Sequence, residues 1–247
     1  MQTRYSRHND MSGEELDQYN IDIVYELRYI MPIRFISLSN TFTEKIQQHG
    51  FDAYTMKIQD YVPDPNHRTY YVSPANSLCF MDGGLDYALS RSVFPNIEIQ
   101  VKQMVREYGK TSLVGKPYLP IGSSMIFDQD SHTSLIVSPT MLLPQNVSTT
   151  NNAYYATMAI LYNILVNRQE SLEHVDILFT SFCCGYGKMD EDTSIRQIVA
   201  GIRDYIHYTP HIVHQNMILC EPNILDQPKY YQNTEFFHID PCDIVHA

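Results

Sequence analysis

Val175-Asp176-Ile177-Leu178-Phe179 runs through Thr180-Ser181-Phe182 into Cys183-Cys184-Gly185-Tyr186-Gly187. From Ser194 to Tyr208, apolar residues return at Ile195, Ile198, Val199, Ile202 and Ile206. A short, mostly apolar run reads as a buried strand, the glycines as a tight turn, and the three-and-four spacing as a helix. Such a unit belongs to an α/β protein with a largely parallel central sheet. The same alternation extends outward. Strands are expected at Ile33 to Leu38, Ala53 to Ile58, Thr69 to Val72, Ser134 to Ser138 and Met217 to Cys220. Helices are expected at Thr43 to His49, Asp86 to about Tyr108 and Asn151 to Val166. Residues 1 to 30 read as a polar extension with one short helical stretch, Gly13 to Tyr19. Residues 31 to 222 read as one domain, and 223 to 247 as a polar, aromatic second extension.

Composition narrows the function. The chain has 17 Lys+Arg against 28 Asp+Glu, a net charge of −11, so a general basic face for nucleic acid is not expected. An anionic small ligand remains compatible, because backbone N–H groups at strand-to-helix turns bind anions without net positive charge. No run of about 18 apolar residues exists, so no membrane span is expected, and the polar first 19 residues give no secretory signal. The five cysteines, Cys79, Cys183, Cys184, Cys220 and Cys242, form neither an even disulfide framework nor a zinc spacing. A reducing, intracellular setting and no metal are expected.

In open α/β sheets, ligands sit beyond the carboxyl ends of the strands. Three strand-ending segments carry unusual residues. Asp60 and Tyr61 follow the second strand. Ser73-Pro74-Ala75-Asn76-Ser77 leads to Met81-Asp82-Gly83-Gly84-Leu85-Asp86, where two glycines precede a helix and Asp86 falls in its first turn. Glycines let a backbone approach a ligand closely, and a helix start offers N–H groups. Cys183-Cys184-Gly185-Tyr186-Gly187 is a second glycine turn, with Lys188 as an available cation. Neither cysteine has a base partner in sequence, so a nucleophilic role is not expected.

Taken in order, these segments resemble the macro domain family, which binds ADP-ribose. Gln59-Asp60-Tyr61 is similar to the family's Asp-containing motif after the second strand, whose Asp holds the adenine amino group. Ser73 to Ser77 resembles the Asn-containing loop that lines the distal ribose. Gly83-Gly84-Leu85-Asp86 resembles the segment around the first phosphate, and Cys184 to Gly187 the second phosphate loop. Met81-Asp82-Gly83-Gly84 and Asn152-Ala153-Tyr154-Tyr155-Ala156 resemble the variant of bacteriophages and large DNA viruses, and the Tyr-rich, Trp-free composition goes with a viral source.

The resemblance covers about residues 33 to 222. It implies a three-layer α/β/α fold with a mixed, largely parallel sheet. The implied ligand is ADP-ribose or an ADP-ribosylated protein, with no cofactor. Asn76 and Asp86 stand ten positions apart, as do the catalytic pair of the hydrolytic branch. This implies removal of mono-ADP-ribose from acidic side chains, or deacetylation of O-acetyl-ADP-ribose. A carboxylate activates water, and an amide holds ribose hydroxyls by donating and accepting. The chain departs from the family at Asp82 (usually Gly), at Ser73-Pro74 (usually Asn-Ala) and at Cys183-Cys184 (usually Ser-Thr). The alternatives are a non-catalytic ADP-ribose reader, or a structural virion protein that has lost the site.

Overall fold

Ile33, Phe35 and Ile36 alternate across the first strand, and their partners on neighbouring strands do the same. A central sheet buried on both faces follows. The computed structural model describes residues 32–113, 115–168 and 172–207. The expected strand at 217–220 and both extensions lie outside these residues.

The elements run β1 (Ile33–Ser37), α1 (Asn40–Gln48), β2 (Asp52–Thr55), β3 (Arg68–Ser73), α2 (Gly84–Ala88) and α3 (Ile97–Tyr108). After them come β4 (Lys110–Thr111), β5 (Pro117–Tyr118), β6 (Met125–Asp128), β7 (Thr133–Val137), α4 (Asn152–Tyr162), β8 (Val175–Phe179) and α5 (Glu191–His207). The main sheet has the order β2-β1-β8-β3-β7-β6. Its first five strands are parallel, and β6 closes the edge antiparallel to β7, so the sheet is mixed and mostly parallel. Registers such as Phe35↔Phe179 and Tyr71↔Leu135 place like residues side by side.

One face carries Phe35, Tyr70, Ile136, Ile177 and Phe179, covered by Phe42 and Ile46 of α1, Ala156 and Ile160 of α4, and Ile195 and Ile198 of α5. The opposite face carries Ile36, Tyr71, Leu135, Val137 and Leu178, covered by Leu89 and by Ile97, Val101 and Val105 of α3. This is a three-layer α/β/α arrangement.

Four expectations change in detail. Helix α1 begins at Asn40 rather than Thr43, because the Ser39 hydroxyl caps it by accepting from the Phe42 N–H at 3.2 Å. Strand β2 ends at Thr55 rather than Ile58, and Ile58–Asp60 form a 3₁₀ turn. The helix read from Asp86 to Tyr108 is two pieces. Phe94, before Pro95, is driven out of the helical region (φ −124°, ψ 71°), and Asn96 is left-handed (φ 67°). Strand β6 and the short hairpin β4–β5 were not anticipated.

Among the described residues one charged side chain of the sheet is fully buried. Asp176 on β8 is fully buried, ion-paired with Arg34 of β1 and 3.3 Å from Nδ1 of His67. Removing one partner of a buried pair strands the other charge. Arg34→Met is therefore expected to cost about 3–5 kcal/mol in urea unfolding. The double variant Arg34→Met/Asp176→Leu should recover most of that loss. A double variant no more stable than the single one would refute a charge-pair origin.

Candidate functional site

The carboxyl ends of β1, β2, β3, β7 and β8 open onto one cavity of about 650 Å³, within the usual range for small-molecule sites. It is built by Ser37-Leu38-Ser39, Met56 to Gln59, Pro74 to Asn76, Phe80, Asp82 to Asp86, Thr140-Met141 and Thr180 to Tyr186, with gaps.

The β3 end contributes most. The sheet pairing continues past the strands: Ser77 N–H donates to the Met141 carbonyl (2.8 Å) and Thr140 N–H to the Ala75 carbonyl (2.8 Å). Asn76 is thereby held below the surface, and its side chain organises its own loop. Oδ1 accepts from the N–H groups of Leu78 (3.0 Å) and Phe80 (3.4 Å), while Nδ2 donates to the Phe80 carbonyl (3.2 Å). Both oxygen lone pairs are thus engaged, and one side-chain N–H remains. The expectation that Asn76 both donates to and accepts from a ligand is narrowed to donation.

The glycine loop is pinned from α3. Glu98 and Lys102 form a buried ion pair at 2.8 Å, Glu98 Oε1 accepts from Met81 N–H (3.4 Å), and Ser90 donates to the Met81 carbonyl (3.1 Å). Gly84 takes a left-handed φ of 56°, a conformation that favours glycine. Asp86 follows in the first turn of α2 and is half-buried. The Ser73 hydroxyl donates to its Oδ1 at 2.6 Å. Burial pushes this carboxyl up to about 7; the Ser73 hydrogen bond opposes the rise, and the charges of Asp82 and Glu98 add to it.

The second glycine turn is fixed by its backbone. Cys183 is left-handed (φ 63°), and its carbonyl accepts from Met189 N–H at 3.1 Å. A Cβ on Gly187 would stand 2.3 Å from the Cys183 carbonyl oxygen, so only glycine fits. Tyr186 is exposed, and its ring lies 3.6 Å from the Cβ position of Gly83, so the two glycine loops meet over the cavity. Burial pushes the Cys183 thiol up to about 12 and the Cys184 thiol to about 11. Both are neutral at ordinary pH and poor nucleophiles.

The residues read from the sequence divide cleanly. Ala75, Asn76, Gly83, Gly84, Leu85, Asp86, Cys183, Cys184, Gly185 and Tyr186 come together around this one space. Asp60, Tyr61, Gly187 and Lys188 stand outside its lining. Asp60 is exposed on the 3₁₀ turn, and the Tyr61 hydroxyl is drawn to the sheet face, where it accepts from Arg34 at 3.3 Å. The segment after β2 that reaches the cavity is Met56-Lys57-Ile58-Gln59, and among the described residues Lys57 is the only Lys or Arg in the lining. Reading β2 three residues too long displaced this part of the site. The early end of β2 at Thr55 was the missing signal.

Among the described residues no group of three or more His, Cys, Asp or Glu is placed to hold a metal, and no helix is long and apolar enough to cross a membrane.

No protein-family model and no curated protein matches this chain. Solved structures similar to it include macrodomains. That of Mycobacterium tuberculosis DarG is 14% identical over 58% of this chain and 88% of its own, with a TM-score of 0.43. A mutant Oceanobacillus iheyensis macrodomain with ADPR is 13% identical over 66% and 89%, with a TM-score of 0.48. Thermosipho africanus DarTG in complex with ADP-ribose is 12% identical over 58% and 36%, with a TM-score of 0.42.

The Asp86 environment sets a pH dependence of stability. A carboxyl raised in the folded state makes its ionisation a cost to folding. That cost is absent below about 4, grows as pH rises, and is complete above the folded value of about 7. Asp86→Asn is therefore expected to melt about 2–4 °C above the wild type at pH 8, the effect of about 1 kcal/mol in a domain of this size. The gain should vanish toward pH 4. A gain independent of pH would disprove the burial of an ionisable carboxyl there.

Proposed function

We propose that the chain is a macro domain of the viral type, that the cavity binds ADP-ribose, and that it hydrolyses ADP-ribose from acidic side chains. The supporting observation is the convergence of Asn76, Gly83-Gly84, Asp86 and Cys184-Gly185-Tyr186 around one space at the strand carboxyl ends, in the order the family resemblance requires. The diphosphate rests on backbone N–H groups of the two glycine loops, as suits a site with a single cation in its lining. The base lies toward Met56 to Gln59, which takes the place first read for Asp60.

In the hydrolytic step, ionised Asp86 takes a proton from a water as its oxygen bonds to C1″ of the distal ribose. The bond from C1″ to the side-chain carboxylate breaks, and that carboxylate departs with the bonding pair. The remaining N–H of Asn76 donates to a ribose hydroxyl and fixes the ring. A second reading, a reader without turnover, is favoured by one observation: the Asn76 oxygen is already occupied by the N–H groups of Leu78 and Phe80.

Calorimetric titration with ADP-ribose, with AMP as control, tests the ligand. ADP-ribose should bind clearly tighter, and Asp60→Ala should leave its affinity unchanged. No heat with either ligand would sink the assignment. Turnover of mono-ADP-ribosylated protein tests the enzyme. Asp86→Ala should lose at least about 100-fold in kcat/KM, the contribution of a positioned general base. Because the ionised carboxylate is the active form, wild-type kcat/KM should fall as pH drops through about 7. Full activity in Asp86→Ala would refute Asp86 as the base, and absence of turnover in the wild type would leave the reader as the surviving interpretation.

A further inference from the structure

Ser73 is the last residue of β3, fully buried and absent from the cavity lining. Its backbone is locked, since its carbonyl accepts from Ser138 N–H at 3.0 Å and it pairs in register with Val137. Its hydroxyl reaches across the strand end and donates to Oδ1 of Asp86 at 2.6 Å, the short distance of a charge-assisted bond. The Ser73 hydroxyl supplies the side-chain hydrogen bond to that carboxyl, and it is made to Oδ1. The other groups facing Asp86 are Asp82 from the glycine loop, Glu98 from α3, and the buried Cys79 thiol. Lys102 of α3 is spent on Glu98, 2.8 Å away. Ser73 cannot reach a ligand, so it is no nucleophile; whatever it does for chemistry, it does through Asp86.

We propose that Ser73 is the positioning residue of the hydrolytic site, fixing Oδ1 of Asp86 so that Oδ2 is the oxygen that meets the attacking water and takes its proton. This rests on the hydrolytic reading of the cavity. It gives a function to the serine that stands where the macro domain pattern has an amide. A hydroxyl with a free torsion can donate to the carboxylate and yield to it as it protonates, so it holds one orientation through both states. The direction of its effect on Asp86 follows: losing the donor disfavours the ionised form.

The test compares wild type with Ser73→Ala, Ser73→Cys and Ser73→Thr by two readouts. The first is the pH profile of kcat/KM on mono-ADP-ribosylated protein. The second is the titration of the Asp86 carboxyl carbon by NMR, which needs no turnover. In Ser73→Ala the acid limb and the carboxyl titration should both rise by about one to two pH units, the worth of a hydrogen bond to a charged group. The rate at pH 7 should then fall about tenfold and recover at higher pH. Ser73→Cys keeps the side-chain bulk without a strong donor and should behave like the alanine variant should that one fail to fold. Ser73→Thr retains the hydroxyl and should restore the wild-type midpoint. Unchanged midpoints in the folded Ala or Cys variant, or an equal loss of rate at every pH, would overturn the proposal. Absence of turnover in the wild type would defeat the hydrolytic reading, whereas an Asp86 titration that ignores Ser73 would defeat the positioning role by itself.

Discussion

The pairing of β3 between β7 and β8 is the constraint on which the site depends. Its two registers lock Arg68 to Ser73 in place, and both faces are buried, with Tyr70 packed on one and Tyr71 on the other. A strand held on both edges cannot slip, because a shift of one residue would exchange its two faces. The position of Ser73 is therefore fixed to within a hydrogen bond. From Ser73 the chain has twelve residues in which to turn, present Asn76, pass the glycines and return Asp86 to the same serine. The 2.6 Å contact between Ser73 and Asp86 closes that loop.

The electrostatics of the cavity follow from this closure. Two carboxylates, Asp82 and Asp86, line it against one lysine, Lys57, in a chain of net charge −11. Long-range attraction therefore does not recruit an anionic ligand here. Any such ligand would depend on short-range donors, and the lining holds two left-handed residues in its glycine turns, Gly84 (φ 56°) and Cys183 (φ 63°). Cys183, the non-glycine member of the pair, holds a strained conformation fixed by the Met189 N–H bond to its carbonyl, a pattern associated with sites. The raised carboxyl of Asp86 also lowers the negative charge in the cavity near neutral pH, so an anion and Asp86 need not repel one another in full.

The fold class was legible because buried strands and amphipathic helices have different periods, and β8 followed by α5 showed both within one stretch. The failures have physical causes. Leu89, Val93, Ile97, Val101 and Val105 keep a four-residue spacing across Pro95, so periodicity hid a break that the proline made. Strand β6 is a four-residue edge strand, only one of whose residues is fully buried. The site was legible at Asn76 and Asp86 because both flank one loop of glycines. At Lys57 it was not, since that residue's place depends on where β2 ends. In sequence Ser73 reads only as a departure from the family's usual Asn; its partner thirteen residues away becomes visible only once the loop is closed.

What separates an enzyme from a reader in this architecture is the state of one proton and the availability of one oxygen. Asn76 spends its oxygen on the backbone of its own loop, which makes the loop rigid at the cost of an acceptor for the ligand. Rigidity of that kind is what positioning requires, and positioning is also all that a reader needs. The discriminating feature is Asp86. A binding site gains nothing from burying a carboxylate beside a second carboxylate and holding it near its titration point; a helix start would be served as well by an exposed one. A general base does gain, because proton transfer is most effective when its affinity for the proton matches the working pH. The burial of Asp86 lowers stability where it is ionised, and the proposed hydrolysis is the use to which that cost would be put.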